Sequence, residues 1–144
     1  NFSKPNFFSK HNTIYWKSDN WIGIGPGAIS RVWNNKKKRI EFENFKKPET
    51  WLKNCLYKKV KLKKILKIDF DITEQEILMM GLRLNEGVDL SKIQCKAFLN
   101  NEEIIQLQRQ GIIYILKNNL MINENYFNVH DYIVRKIIDN YVSS

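Results

Sequence analysis

Four side chains that could contact a metal-centred macrocycle fall within six residues near the start of the sequence. They are His11, Asn12, Tyr15 and Trp16. An imidazole can ligate haem iron, and flat aromatic rings can pack on a porphyrin. The alternative is a histidine that hydrogen-bonds within a loop while Tyr15 and Trp16 fill a core. Spacing alone favours this structural alternative.

A glycine-rich segment follows shortly afterwards. Gly23, Gly25 and Gly27 occupy every second position, and Ala28 comes next. Such turns let a backbone approach a ligand closely. The spacing is neither a dinucleotide fingerprint nor a Walker loop, and no helical pattern follows it. We therefore predict a short buried strand over Trp21–Gly25 that runs into a turn, and an ordinary tight turn is the alternative to a ligand site.

The two cysteines, Cys55 and Cys95, lie far apart and form no CxxC pattern. Free cysteines usually behave as small buried hydrophobic residues, and this is our expectation for both. The absence of a disulfide pattern favours a reducing cytoplasm.

The first half of the chain has strand and helix signals that could position these residues. The sequence predicts a hairpin from Ala28 to Phe45 that turns at Asn34-Asn35. Pro48 and Glu49 suit the first turn of a helix, which we predict over 48–57. The lysine-rich run Lys58–Lys67 is predicted to be an exposed strand or an extended linker. Its charge favours a solvated face, and a contact with an acidic partner is the alternative.

The second half is periodic and mainly helical. Thr73–Glu76 has the pattern of a capping box, and the apolar run that follows predicts a central helix. A second helix is predicted through about Phe98, and a third begins at Asn100 or Asn101 and ends before Gly111. A hairpin over 112–122 that turns at Asn118-Asn119 precedes a final helix over 128–142, which has an apolar stripe at Val129, Ile133, Ile137 and Tyr141. Together these elements complete a winged-helix-like pattern.

The charge of the chain favours an anionic partner. The 144 residues contain 24 basic and 15 acidic side chains, for a net charge of +9. Nucleic acid, a membrane surface or a tetrapyrrole carboxylate would each suit this charge, and simple solubility is the alternative. No stretch approaches the roughly 20 apolar residues that span a bilayer. The start at Asn1 lacks a signal-peptide pattern and suggests a processed product or an excised fragment.

Several segments resemble one family in order and spacing. They are Phe2–Pro5, the HNxxYW element at His11–Trp16, Trp21–Ala28, Glu76–Leu84, Glu86–Leu90 and Gln110-Gly111. This resemblance is to the HemW family, the haem-handling relatives of oxygen-independent coproporphyrinogen III oxidase. It covers essentially the whole chain, and HNxxYW is its most discriminating element.

The resemblance implies an α+β fold in three parts. Residues 1–46 would contain the terminal strand or strands of a radical S-adenosylmethionine barrel and a β-hairpin. Residues 47–72 would be a connecting helix and lysine-rich linker, and residues 73–144 a winged-helix-like C-terminal domain. By motif position, His11 would contact haem and Asn12, Tyr15 and Trp16 would shape the site. Cofactor-binding residues at the ligand-side turn of the last barrel strand would be Gly23, Gly25, Gly27 and Ala28.

The implied function is that of a C-terminal fragment of a protein that binds haem and delivers it to haem enzymes of respiration. Its partners would be haem, the upstream barrel and the haem-accepting proteins, in the cytoplasm or in association with a membrane. The alternative is a fragment of a coproporphyrinogen III oxidase. The family's CxxxCxxC is absent, so S-adenosylmethionine and an iron–sulfur cluster would be bound only by the full-length parent. Ile29 and His130 also depart from the family's usual His and Gly.

A winged-helix nucleic-acid binder is the third hypothesis. Its recognition helix should be basic at the exposed amino-terminal half. Glu102 and Glu103 begin the corresponding predicted helix and would repel phosphate. We therefore expect no specific nucleic-acid partner.

Overall fold

The computed structural model describes residues 7–57 and 62–142. Contacts divide the chain into two compact units. The hairpin unit is Asp19–Thr73, and the helical unit combines Asn1–Ser18 with Glu74–Ser144. Both units contain helices and antiparallel strands, which confirms the predicted α+β class. The predicted domains 1–46, 47–72 and 73–144 stay a prediction.

The described residues form five α-helices and six β-strands. The elements are α1 (Lys10–Trp16), β1 (Ile29–Trp33), β2 (Arg39–Glu43), α2 (Pro48–Leu56), β3 (Lys64–Lys67), α3 (Phe70–Gly81), β4 (Val88–Asp89), α4 (Glu102–Arg109), β5 (Ile113–Leu116), β6 (Asn119–Ile122) and α5 (His130–Val142). Short 3-10 turns cover Leu90–Lys92, Ala97–Asn100 and Glu124–Val129.

The hairpin unit is built on the antiparallel sheet β1-β2-β3. The predicted hairpin is confirmed, and its register places Val32 opposite Ile40. The side-chain Oδ1 of Asn34 closes the turn by accepting hydrogen bonds from the backbone N–H groups of Lys36 and Lys38, each at 2.9 Å. The lysine-rich run ends in β3, which is exposed along its length, while residues 58–61 lie outside the described part of the chain.

The prediction of a buried strand over Trp21–Gly25 is wrong. Trp21 forms a single antiparallel bridge with Arg31, and the chain then leaves the sheet. Ile22 and Ile24 are 77% and 88% exposed. Gly25 adopts a φ of 109°, which ends the extended conformation. The apolar composition of this segment led to the prediction, but no described residue of the hairpin unit covers Ile22 and Ile24.

The predicted capping box is also wrong, because α3 begins at Phe70 and places Thr73 and Glu74 inside the helix. The hydroxyl of Thr73 donates to the carbonyl of Asp69 at 2.9 Å instead of capping an amide. Glu74 is only 1% exposed. Its carboxylate accepts hydrogen bonds from the backbone N–H groups of Gln94 and Cys95 and from the hydroxyl of Tyr141. Glu74 therefore joins three separate segments of the helical unit.

The predicted second helix is replaced by two 3-10 turns. Asp89 caps the first turn by accepting a 2.8 Å hydrogen bond from the N–H of Ser91. The chain between the turns does not continue a helix, because the N–H groups of Gln94 and Cys95 donate hydrogen bonds to the carboxylate of Glu74 instead of to helical carbonyls. A tertiary interaction thus overrides the local helical signal.

The rest of the helical unit agrees with the sequence. Asn101 caps α4 through a 2.9 Å hydrogen bond from the N–H of Glu103, and Gly111 has the expected positive φ of 68°. The predicted hairpin pairs β5 with β6, which leaves β5 at the edge of the sheet β4-β6-β5. The apolar stripe of α5 is buried as predicted, except at the preceding Val129, which is 44% exposed. Buried members are Ile133, Val134, Ile137 and Tyr141.

Candidate functional site

The HNxxYW element lies on helix α1. Ser9 caps this helix: its Oγ accepts a hydrogen bond from the N–H of Asn12, and its carbonyl accepts one from the hydroxyl of Thr13. Residues four apart lie one above the other on a helix. The motif therefore forms two adjacent rows, His11 with Tyr15 and Asn12 with Trp16. The i, i+4 spacing of these residues is a helical signal in the sequence, although the alternative given above was a loop.

His11 and Tyr15 make direct contact in the first row. The hydroxyl oxygen of Tyr15 lies 3.3 Å from Nε2 of His11, and the rings meet edge to face with centroids 4.8 Å apart. This contact restrains the orientation of the imidazole. His11 is exposed to solvent, so a ligand can approach it without the helix moving.

Trp16, in the second row, lines a cavity of about 190 Å³ within the helical unit. Lys17 also lines it and forms a 2.8 Å ion pair with Glu86. Asp89 stands at the same cavity, and its pKa is lowered first by the hydrogen bond from the backbone of Ser91. The wall of this cavity therefore carries both positive and negative side chains beside the indole ring of Trp16.

The fit of a tetrapyrrole to these residues is partial. An exposed imidazole held by a hydroxyl is a suitable iron ligand, and a half-buried indole offers a packing surface. The cavity beside Trp16 is smaller than the roughly 300–1,000 Å³ of pockets that enclose drug-sized ligands. At His11 and Trp16 the described residues therefore form an open surface and not an enclosing pocket.

The glycine segment belongs to the hairpin unit, and its geometry is explained by the local fold. The N–H of Gly23 donates to the hydroxyl of Ser30 at 3.0 Å, and the N–H of Gly27 donates to the carbonyl of Phe45 at 2.9 Å. A Cβ on Gly23 would lie 2.4 Å from the carbonyl oxygen of Ile29.

Two further features fix the same turn. Gly25 and Gly27 both have positive φ angles, which favour glycine. The side-chain amide of Asn44 donates to the carbonyl of Gly25 at 3.0 Å, and the N–H of Ala28 donates to the same carbonyl at 3.3 Å. The N–H groups of Gly23, Gly27 and Ala28 are thus engaged within the protein. The prediction that this segment contacts a cofactor stays a prediction.

Sequence reasoning missed a buried arginine that holds this segment in place. Arg39 is 3% exposed, and its guanidinium lies 4.9 Å from the ring centroids of both Trp21 and Trp33. Its Nη2 donates to the carbonyl of Asp19 at 3.0 Å. Arg39 therefore links the start of the glycine segment to the hairpin. Trp21 lies 18 residues before Arg39 in the sequence. The contact of Arg39 with both tryptophans therefore becomes visible only when the register of the hairpin is known.

Beside the glycine segment lies an apolar groove of about 330 Å³. We call it the apolar groove; its apolar lining comes from Ile22, Ile24, Val32, Phe42, Trp51 and Leu62. Cys55 also lines it and is exposed, so the expectation of a buried thiol is wrong at this position. Cys95 is half-buried.

Within 7–57 and 62–142, no group of three or more His, Cys, Asp or Glu side chains is placed to hold a metal ion. The same part of the chain contains no helix that is both long and apolar enough to cross a membrane.

Comparison with known proteins identifies relatives over nearly the whole chain. The radical S-adenosyl methionine domain-containing protein 1, mitochondrial, of Dictyostelium discoideum is 31% identical over 94% of this chain and 36% of its own length. The heme chaperone HemW of Lactococcus lactis is 27% identical over 96% of the chain and 36% of its own length. The chain belongs to the HemW-like family.

A third member of the HemW-like family, the radical S-adenosyl methionine domain-containing protein 1 of Danio rerio, is 31% identical over 61% of the chain. The chain spans about a third of the length of the Dictyostelium and Lactococcus relatives. No family model and no solved structure matches the chain. The resemblance seen in the HNxxYW element is thus supported by alignments that cover both units.

Proposed function

We propose that this chain is the C-terminal part of a HemW-like protein that binds haem and delivers it to haem enzymes. The observation that carries the proposal is the exposed His11–Tyr15 pair on α1, within the element that most clearly resembles the family. A relative over 96% of the chain is named a heme chaperone. Haem is the cargo of this function and not a substrate to be transformed.

In this proposal each residue of the motif has a separate task. His11 is the iron ligand, and Tyr15 holds its ring through the hydrogen bond at Nε2. Trp16 packs on the macrocycle, and Asn12, one turn before it, shapes the edge of the surface. The ammonium groups of Lys92 and of Lys17, which is paired with Glu86, are the groups at the cavity that suit the carboxylates of a tetrapyrrole.

The remaining parts of the proposal concern the longer protein. A radical S-adenosylmethionine barrel would precede this chain and would hold the iron–sulfur cluster and S-adenosylmethionine, with Gly23, Gly25, Gly27 and Ala28 in contact with the cofactor. The order of helices followed by the β5–β6 hairpin and α5 supports a winged-helix-like domain. Haem-accepting respiratory proteins would be the partners, and delivery would take place in the cytoplasm or at a membrane surface.

A haem titration tests the proposal directly. Adding haemin to the 144-residue chain should shift the Soret band, and His11→Ala should remove the shift because the iron ligand is lost. The chain has only two histidines, so His130→Gln is the matched control. A glutamine amide can still donate to the carbonyl of Leu82, which lies 2.9 Å from Nε2 of His130. Equal spectra for wild type and His11→Ala would refute the proposed site.

A further inference from the structure

Another cavity of the helical unit has a volume of about 290 Å³ and shares no lining residue with the cavity beside Trp16. We call it the aromatic cavity; it is lined by Asn85, Tyr114, Ile122, Asn123, Glu124 and Phe127. Its volume lies at the lower limit of the roughly 300–1,000 Å³ of pockets that hold drug-sized ligands. The aromatic cavity therefore suits one side chain or a small organic group, and it is too small for a tetrapyrrole.

Glu124 is the one charged side chain that lines the aromatic cavity. In the described part of the chain its carboxylate forms no hydrogen bond or ion pair. It is not needed as a cap of its own 3-10 turn, because Oδ1 of Asn123 already accepts a 3.1 Å hydrogen bond from the N–H of Asn125. The nearby Arg83 is paired with Asp131 at 3.2 Å. An anion without a counter-ion in a chain of net charge +9 favours a cationic ligand.

Two aromatic rings, Tyr114 and Phe127, line the same cavity. Phe127 is held in place by stacking on the imidazole of His130, with ring centroids 5.8 Å apart and planes at 23°. The imidazole is fixed in turn, because its Nε2 lies 2.9 Å from the carbonyl oxygen of Leu82. Tyr114 is 39% exposed, so a ligand can reach it from solvent. Because the faces of aromatic rings attract cations, these two rings add to the attraction of the carboxylate.

A guanidinium group matches this combination better than an ammonium group. Guanidinium is planar, so it can stack on an aromatic ring, and its N–H groups can donate two parallel hydrogen bonds to one carboxylate. The side-chain amide of Asn85, which has no hydrogen-bond partner among the described residues, offers a further acceptor. The chain already stacks a guanidinium in this way at Arg39, which lies 4.9 Å from the ring centroids of Trp21 and Trp33.

We propose that the aromatic cavity is a binding site for a guanidinium group, with Glu124 as its counter-ion and Tyr114 and Phe127 as its aromatic walls. Such a group belongs either to free arginine or to an arginine side chain of a polypeptide. The site is separate from the proposed haem surface, because no residue of α1 lines the aromatic cavity. The helical unit thus has one surface for an anionic macrocycle and a second site for an organic cation.

Nuclear magnetic resonance of the isotopically labelled 144-residue chain, without haem, tests the proposal. The probe is arginine with an acetylated amino group and a methylamide in place of its carboxylate, so that guanidinium is its only charge. Titration should shift the backbone amide signals of Tyr114, Glu124 and Phe127 and leave those of α1 unchanged. The same derivative of citrulline, which is uncharged, should bind at least about tenfold more weakly, and that of lysine at least about threefold more weakly.

Variants of the cavity give the second test. Glu124→Gln should weaken binding of the blocked arginine by at least about tenfold, because the counter-ion is lost. Glu102→Gln removes an equal charge at an exposed position on α4 and should leave binding unchanged. Tyr114→Leu should weaken binding by about threefold, because one aromatic wall is lost. Both cavity positions are exposed, so neither variant threatens the fold.

The proposal is overturned if the blocked arginine does not bind, if citrulline or lysine binds equally well, or if Glu102→Gln weakens binding as much as Glu124→Gln. Comparison with free arginine identifies the source of the group. Tighter binding of the blocked form points to an arginine side chain of a polypeptide, and tighter binding of the free amino acid points to arginine itself. Either order supports a guanidinium site, and neither depends on whether His11 binds haem.

Discussion

Replacement of Glu74 by Ala should lower the stability of the helical unit by more than the loss of one side chain suggests. The carboxylate is 1% exposed and accepts three hydrogen bonds, two from the backbone of Gln94 and Cys95 and one from Tyr141. Alanine leaves the buried hydroxyl of Tyr141 and the two part-buried backbone N–H groups without this acceptor. Each orphaned donor costs about 1–3 kcal/mol, so the free energy of unfolding should fall by about 3 kcal/mol or more. Typical domains have only about 5–15 kcal/mol in total.

Urea denaturation followed by far-ultraviolet circular dichroism measures this loss. Tyr141→Phe should cost about 1 kcal/mol, because it removes one donor and leaves the carboxylate with two. Glu102→Gln, at an exposed position on α4, should change stability by less than about 0.5 kcal/mol. A Glu74→Ala protein within about 1 kcal/mol of wild type would refute the assignment of Glu74 as a structural acceptor.

Two predictions concern the hairpin unit. Arg39→Lys should lower its stability by about 1–2 kcal/mol, since an ammonium cannot stack between two indole rings, whereas Lys36→Arg in the exposed turn should be neutral in thermal unfolding. Equal melting temperatures for both variants would contradict this role. The hydrogen bond from Lys63 lowers the pKa of Glu43 below its ordinary value of 4.5. Stability from this pair is present above pH 4.5 and is lost as the pH falls through the lower, folded-state value. Lys63→Gln should flatten the dependence of melting temperature on pH in that acidic range, and an unchanged slope would argue against the pair.

Elements with a local cause could be predicted from the sequence. Helix α4 has its own cap at Asn101 and its own terminating glycine, and both behave as expected. The β5–β6 hairpin forms as predicted, although it turns at Lys117 and Asn118, both with positive φ, one residue before the predicted Asn118-Asn119. These signals lie within a few residues of the structure that they specify, so no knowledge of the remaining chain is needed.

Elements that depend on distant partners were predicted wrongly. The capping box predicted at Thr73–Glu76 gave Glu74 no role, whereas the partners of Glu74 lie 20, 21 and 67 residues away. Ile22 and Ile24 have the composition of a buried strand, yet no described part of the hairpin unit covers them. Periodicity reports which side chains prefer an apolar environment; it does not report whether this chain supplies one.

The candidate site shows the same division. The i, i+4 spacing in HNxxYW specifies which side chains meet on α1, and the His11–Tyr15 contact follows from it. The charged cavity beside Trp16 could not be foreseen, because its other walls come from residues 77–119. Arg39 carried no sequence signal at all, since its two tryptophan neighbours are brought together by strand register.

The position of β5 at the edge of its sheet has a consequence for handling the protein. Its outer backbone groups face no neighbouring strand of that sheet, and Tyr114, Ile115 and Leu116 are all partly exposed. Uncharged apolar edges of this kind template intermolecular strand addition, the first step of aggregation. Lys117, at the adjoining turn, is the nearest charge that interrupts the run. Neutralising that lysine would remove a gatekeeper and promote precipitation during expression, even if the fold itself were unchanged.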